Sequence, residues 1–203
     1  MRVYAGKTAD ERRTERRDRL VAAGRKLFGE HGFHGTSMRA VLREARLPDR
    51  YFSESFKTME ELLAAVHQEV DAGLQARVGE SVDRTAPPSG QIRQMFHNLV
   101  RQLERDPGAA RITLIEVTGV SPCIDSLRLA ALETYVKATS ARLPEPPPGS
   151  RLDRMIFAQA FVSGANGMLV DWASGSLQVT GEQLVEHATL LFEALEEKLL
   201  RTA

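Results

Sequence analysis

Along most of the chain, apolar residues recur at intervals of three and four, the period of an amphipathic helix. Leu20, Ala23, Leu27 and Phe28 form the first stripe, and Gly32 follows where helices commonly stop. Thr36-Ser37 offers a cap, after which Met38, Val41, Leu42 and Ala45 resume helical spacing. Leu47-Pro48-Asp49 interrupts, because proline suits a first turn and disfavours helix in the residue before it. The stretch LPDRYFSESF (47–56) then predicts a third helix, so short that packing has to hold it. Thr58-Met59-Glu60-Glu61 is a capping-box pattern, and it opens a long helix with Leu62, Leu63, Val66, Val70, Leu74 and Val78 inward.

Further on, RTAPPSG (84–90) reads as a loop. Ile92, Phe96, Leu99 and Leu103 mark a helix that ends near Asp106-Pro107-Gly108. Residues 111–120, RITLIEVTGV, contain β-branched residues that suit a strand, but helices on both sides favour helix. Ser121-Pro122 starts a helix that runs to Leu143, and PEPPPGS (144–150) is a linker. Two final helices, about 151–174 and 181–201, close the chain. The expected fold is all-α: an N-terminal three-helix helix-turn-helix head, residues 1–57, and a C-terminal bundle of about six helices, residues 58–203.

The penultimate helix is apolar on nearly every side, and such a helix needs cover on every side. A second copy of the chain is the expected cover, twofold homodimers being the commonest oligomers. The expected dimer interface uses Ile156, Ala160, Gly164 and Gly167 with Leu184, Ala188, Leu191 and Leu195 of the last helix. The small residues among them permit close helix approach.

Charge changes this picture. The chain carries 27 Lys+Arg and 27 Asp+Glu, a net charge of zero. Residues 1–57 hold 14 of the basic and 8 of the acidic residues, leaving a basic head on an acidic body. That division suits a head that meets a polyanion. A single cysteine, Cys123, excludes an internal disulfide and fits a reducing compartment. The N-terminal stretch lacks a signal peptide's apolar core, and a cytoplasmic protein with no membrane partner is expected.

Catalytic signatures are missing: the sequence has no GxSxG, HExxH, CxxC or Walker-type loop, and neither enzymatic activity nor a cofactor is expected. His31 and His34 span a glycine turn with no third ligand nearby, so no metal is expected there. Cys123 follows Ser121-Pro122 in a helix's first turn, which could lower a thiol pKa, although a lone cysteine commonly just fills space.

RLVAAGRKLFGEHGFHGTSMRAVLREARLPDRYFSESFKTMEELLAAV resembles the tetracycline-repressor (TetR) family of bacterial transcription regulators. The resemblance covers about residues 16–67. It rests on Leu27-Phe28, Gly32-Phe33, Thr36-Ser37, Val41, Ala45, Leu47, Phe52, Phe56 and Glu60-Leu62-Leu63. Arg46 stands where the family has a turn glycine, which calls for another turn shape or some strain. Arg50-Tyr51 replaces a common Gly-Thr, Ser53 stands where a tyrosine is usual, and Met59 replaces a basic residue.

In a helix-turn-helix the second helix lies in the major groove. The expected phosphate contacts are Thr36, Ser37, Arg39, Ser53 and Lys57, joined by Arg13, Arg16 and Arg17. Pro48, Asp49, Arg50 and Tyr51 are the expected base readers, Arg being able to pair two-pronged with guanine. The resemblance implies a homodimer on a near-palindromic double-stranded DNA operator. It also implies a repressor released by a small hydrophobic or aromatic effector bound in the body. Candidate lining residues are Phe96, Leu99, Leu103, Glu116, Tyr135, Phe157, Phe161, Asn166, Met168 and Trp172. The competing reading is a helical adaptor whose basic arm meets acidic partners without reading DNA sequence.

Overall fold

The computed structural model describes residues 8–201; residues 1–7, counted above in the head and its charge, lie outside the described part. Helix α1 (Ala9–His31) opens with a capping box, in which Thr8 accepts from the Glu11 N–H and Glu11 reaches back to the Thr8 N–H. It presents Leu20, Leu27 and Phe28 to helices α2 (Met38–Ala45) and α3 (Arg50–Ser55). The head is thus a three-helix unit, with Phe28, Val41, Leu42 and Phe52 almost fully enclosed.

Helix α4 (Met59–Gly79), capped by Thr58, leads from the head into the body. The body continues with α5 (Pro88–Arg105), α6 (Pro107–Arg111), a π-helical turn (Ile112–Glu116), α7 (Pro122–Ser140), α8 (Arg154–Ala173) and α9 (Gly181–Arg201). The ambiguous segment 111–120 is therefore helical at its start, and its π turn widens the backbone by one residue per turn. The expected loop 84–90 is shorter than read: Pro88 already occupies the first helical position, where its missing N–H costs nothing. No strand occurs among the described residues, and none of their helices is long and apolar enough to cross a membrane.

Within the body, α9 packs mainly along α5, and α8 packs on α7, on α9 and on the π turn. Leu184, Val185, Ala188 and Phe192 of α9 face this core, with Phe192 edge-on to Phe161 at 5.6 Å. The buried residues form one continuous cluster from Leu20 to Leu199, because α1 also rests against α4, α6 and the π turn.

Candidate nucleic-acid interface and effector cavity

Ser37 Oγ accepts the Ala40 N–H at 3.2 Å and fixes the start of α2. At the other end Arg46 adopts the left-handed conformation (φ 53°, ψ 47°). Its N–H donates to Arg43 O at 3.1 Å, and the Leu47 N–H donates to Leu42 O at 3.0 Å, a turn that glycine usually completes. Of the two options left open by the missing glycine, the turn keeps its shape and carries the strain, about 1 kcal/mol for a residue with a Cβ. Arg19 braces it from α1, donating to Ala45 O at 2.5 Å and Arg46 O at 3.0 Å.

Helix α3 is held from below and exposed above. Phe52 and Phe56 are buried, and Leu47 is half-buried against them; Pro48, Asp49, Arg50 and Ser53 are exposed, with Tyr51 at the margin. Arg50 Nη2 donates to Tyr51 Oη at 3.0 Å, and its guanidinium lies 4.8 Å from the Tyr51 ring centroid. Arg16 approaches the same ring at 4.5 Å. Ser53 Oγ donates back to Arg50 O at 3.1 Å. Arg39 and Lys57 are exposed, the Lys57 backbone N–H being taken by Glu61 at 2.7 Å.

Four expected phosphate contacts turn out to hold the head together. Thr36 is buried, its hydroxyl donating to Gly32 O at 2.8 Å, so it has no surface for a phosphate. Arg16 pairs with Glu54 at 3.2 Å, and Arg13 donates to Glu54 O at 3.2 Å; both tie α1 to α3. Arg17 stacks over the Phe56 ring at 5.0 Å. The described residues contain no group of three metal ligands, and His31 lies only beside Glu30.

Head and body meet through backbone contact and a polar cluster. Gly29 lies against Gly108, where a Cβ on Gly29 would stand 2.9 Å from the Gly108 Cα. Arg25 pairs with Asp106 at 2.9 Å, and Asp106 caps α6 by accepting from the Ala109 N–H at 2.8 Å. Burial works against the Asp106 carboxylate, but the Ala109 N–H and the Arg25 guanidinium hold its pKa below the usual value. Glu116, expected to line a pocket, sits here instead. One of its oxygens accepts from the Phe33 N–H at 2.6 Å and the other from Arg111 Nε at 2.7 Å, and Glu116 does not line the cavity between the body helices.

Two other residues of the π turn, Thr113 and Leu114, line a cavity of about 110 Å³ between α4, α5, α7 and α8. Of the residues expected to line an effector site, Phe96, Leu99, Leu103, Tyr135, Phe161 and Asn166 line this cavity. Phe157, Met168 and Trp172 do not: the first two pack elsewhere against the core, and Trp172 donates its ring N–H to Val179 O at 3.2 Å. The sequence reading missed the cavity's polar groups, His67, Asp71, Thr113, Arg128 and Thr139. Their signal was available: His67, Asp71, Leu74 and Val78 share one face of α4, as Arg128, Leu132, Tyr135 and Thr139 share one face of α7. Burial, with the Arg128 charge, lowers the His67 pKa and keeps the ring neutral. Burial and the nearby Asp71 push the Tyr135 phenol up, and burial raises Asp71 itself.

The expected second-copy surface needs one correction. Leu184 and Ala188 are 2% and 0% exposed within a single chain, because α9 turns them onto α5, so they have no area to offer a partner. Ile156, Ala160, Gly164, Gly167 and Leu191 remain exposed, and Leu195 is half-buried.

A short helix held out by buried phenylalanines, behind a capped helix and above a helical body, defines a helix-turn-helix regulator fold. Residues 20–66 match the family described as "Bacterial regulatory proteins, tetR family". The HTH-type transcriptional repressor DhaR of Mycobacterium sp. (strain GP1) is 23% identical over 188 residues, covering 90% of this chain and 93% of DhaR. A transcriptional regulator from Rhodococcus sp. Rha1 shares the fold at a TM-score of 0.74 and 20% identity, covering 90% of this chain and 96% of its own. FadR from Bacillus subtilis, solved in complex with stearoyl-CoA, does so at a TM-score of 0.67 and 16% identity, covering 88% of this chain and 96% of its own. Residues 20–66 thus carry the DNA-binding segment of the tetR family of bacterial regulatory proteins, and the chain is a DNA-binding transcriptional regulator.

Proposed function

We propose that the protein is a homodimeric repressor in which residues 1–57 grip a near-palindromic operator and residues 58–203 provide the dimer contact and the effector site. The observation that carries this reading is the division of α3: Phe52 and Phe56 are buried while Asp49 and Arg50 are exposed, with Tyr51 at the margin. An α3 of this kind reads base edges from its first turn. Ser37, Arg39, Ser53 and Lys57 supply the phosphate contacts, the first with the free amides of the α2 N-terminus. Repression is favoured by the likeness to DhaR.

Dimerisation is supported by the distribution of exposed apolar side chains. Met155, Ile156, Leu190, Leu191 and Leu200 are five of the seven large ones among the described residues, and all lie on α8 or α9. The effector is a small, mainly apolar molecule held in the cavity beside the π turn. FadR's complex with stearoyl-CoA supports a regulator that binds a ligand, although a cavity of about 110 Å³ suits a much smaller molecule. A ligand there releases the operator only through different affinity for the bound and free arrangements of the heads.

Selection from random DNA followed by a gel shift against random competitor tests the reading. A near-palindrome with half-sites about 34–36 Å apart is expected, preferred by about a thousandfold or more over random sequence. A protein that binds all sequences alike is not this regulator.

A further inference from the structure

The cavity wall is apolar apart from a few groups, and one of them is a cation without an anion. Arg128 of α7 lines the cavity, and its Nε is buried with no hydrogen-bond partner. Neither Asp71 nor any other carboxylate among the described residues forms an ion pair with its guanidinium. Arg142 offers a contrast. Its Nε is also buried and unbonded, but its Nη1 anchors the group on Ala138 O at 2.6 Å. A partly buried guanidinium with no acceptor is costly, and such an exception calls for a missing partner.

The second group is His67 of α4, 4% exposed, lining the same cavity and close enough to Arg128 to feel its charge. Its ring makes no hydrogen bond among the described residues, so a donor nitrogen is available beside the guanidinium. Asp71, one turn further along α4, already accepts from Gln75 at 2.7 Å. The lining also includes Leu74, Phe96, Leu99 and Phe161. Along α4 the lining runs from His67 to Val78, roughly 16 Å of helix. Arg128 and His67 thus lie together, His67 on the part of α4 nearer the head, and most of the remaining lining is apolar.

We propose that Arg128 and His67 form a carboxylate subsite, and that the cavity takes a small amphiphilic acid whose apolar body lies against Leu74, Phe96, Leu99 and Phe161. A carboxylate supplies the two acceptors that a guanidinium fork fits, and it takes the His67 N–H as a third contact. The apolar lining leaves room for about one ring or a short alkyl chain, the scale of a cavity that holds benzene. An amine is disfavoured by the Arg128 charge. This assignment rests on the cavity being the effector site proposed above.

Isothermal titration with matched probes tests it: benzoate against benzamide, and octanoate against 1-octanol, with benzylamine as the cation. The acids are expected to bind about tenfold or more tighter than their neutral partners, the worth of one charge-assisted pair. In Arg128→Met that preference disappears while the neutral probes bind as before. Arg128→Lys, which keeps the charge and loses the fork, retains part of it and serves if the Met variant does not fold. Equal affinities within each pair, a preference for benzylamine, or an undiminished acid preference in Arg128→Met overturns the subsite and leaves an effector cavity of another chemistry. Binding of none of the five probes by the parent overturns both the subsite and the effector role of the cavity.

Discussion

Glu116 joins head to body: its carboxylate accepts the Phe33 N–H at 2.6 Å while holding Arg111 at 2.7 Å. Phe33 belongs to the turn that leads into α2, and Glu116 ends the π turn whose Thr113 and Leu114 line the cavity. Glu116→Ala leaves a half-buried N–H and a guanidinium without their acceptor. It is expected to cost about 2 kcal/mol, lowering Tm by roughly 4–8 °C, with Glu116→Gln in between. A Tm within a degree of the parent's shows that the junction is held elsewhere.

The left-handed Arg46 gives a prediction of opposite sign. Arg46→Gly relieves the Cβ strain at φ 53° and leaves the Arg19 contacts, which go to backbone oxygens, in place. A gain of about 1 kcal/mol is expected, seen as a rise in the midpoint of urea unfolding with unchanged slope. Destabilisation counts against the strain.

Arg50 and Lys57 separate the two kinds of DNA contact. Arg50 rests on Tyr51, an arrangement that holds both side chains at the exposed face of α3. Arg50→Ala is expected to lose about 1–3 kcal/mol on the selected operator and to relax preference at one base pair. Lys57→Ala weakens all sequences alike. Equal losses on operator and random DNA for Arg50→Ala remove its base-reading role.

Ile156, 68% exposed on α8, tests the second-copy surface. Ile156→Arg places a charge where a partner would have to bury it, which apolar interface cores do not accommodate. Light scattering is expected to change from two chains to one, with loss of tight operator binding. An unchanged mass moves the interface off this face.

His67 sets a pH dependence. Burial, with Arg128, lowers its folded-state pKa from the ordinary 6.5, so the unfolded chain binds the proton first. The stability tied to a neutral His67 is present above about pH 6.5 and is lost as pH falls from there through the lowered folded-state pKa. Denaturation midpoints between pH 7.5 and about pH 5.5 should fall less steeply in His67→Gln than in the parent. Identical slopes indicate that other groups govern the acid limb.

How much of this was legible in the sequence follows from the range of the forces involved. Local signals were enough for the helices: Gly32, Ser37, Thr58 and Ser121 stop or cap them where the chain says, and α9 spans the residues its periodicity marks. The helix-turn-helix resemblance, rather than periodicity, set Phe52 and Phe56 apart from the expected base readers Asp49, Arg50 and Tyr51. Periodicity finds an apolar face but not what covers it, which is why Leu184 and Ala188 were read as a partner's contacts although α5 lies on them.

Only tertiary structure decided the polar pairings. Thr36 turns inward because Gly32 O is within reach, and Glu54 claims Arg13 and Arg16 across a helix contact some 40 positions away in sequence. Glu116 reaches Phe33 across 83 positions. Arg128 and His67 come from helices that meet only when the bundle closes, and nothing near either in sequence marks it as unpaired. A side chain's role as cap, brace or ligand contact depends on the acceptors that folding brings within about 3 Å, and the chain specifies that only through its fold.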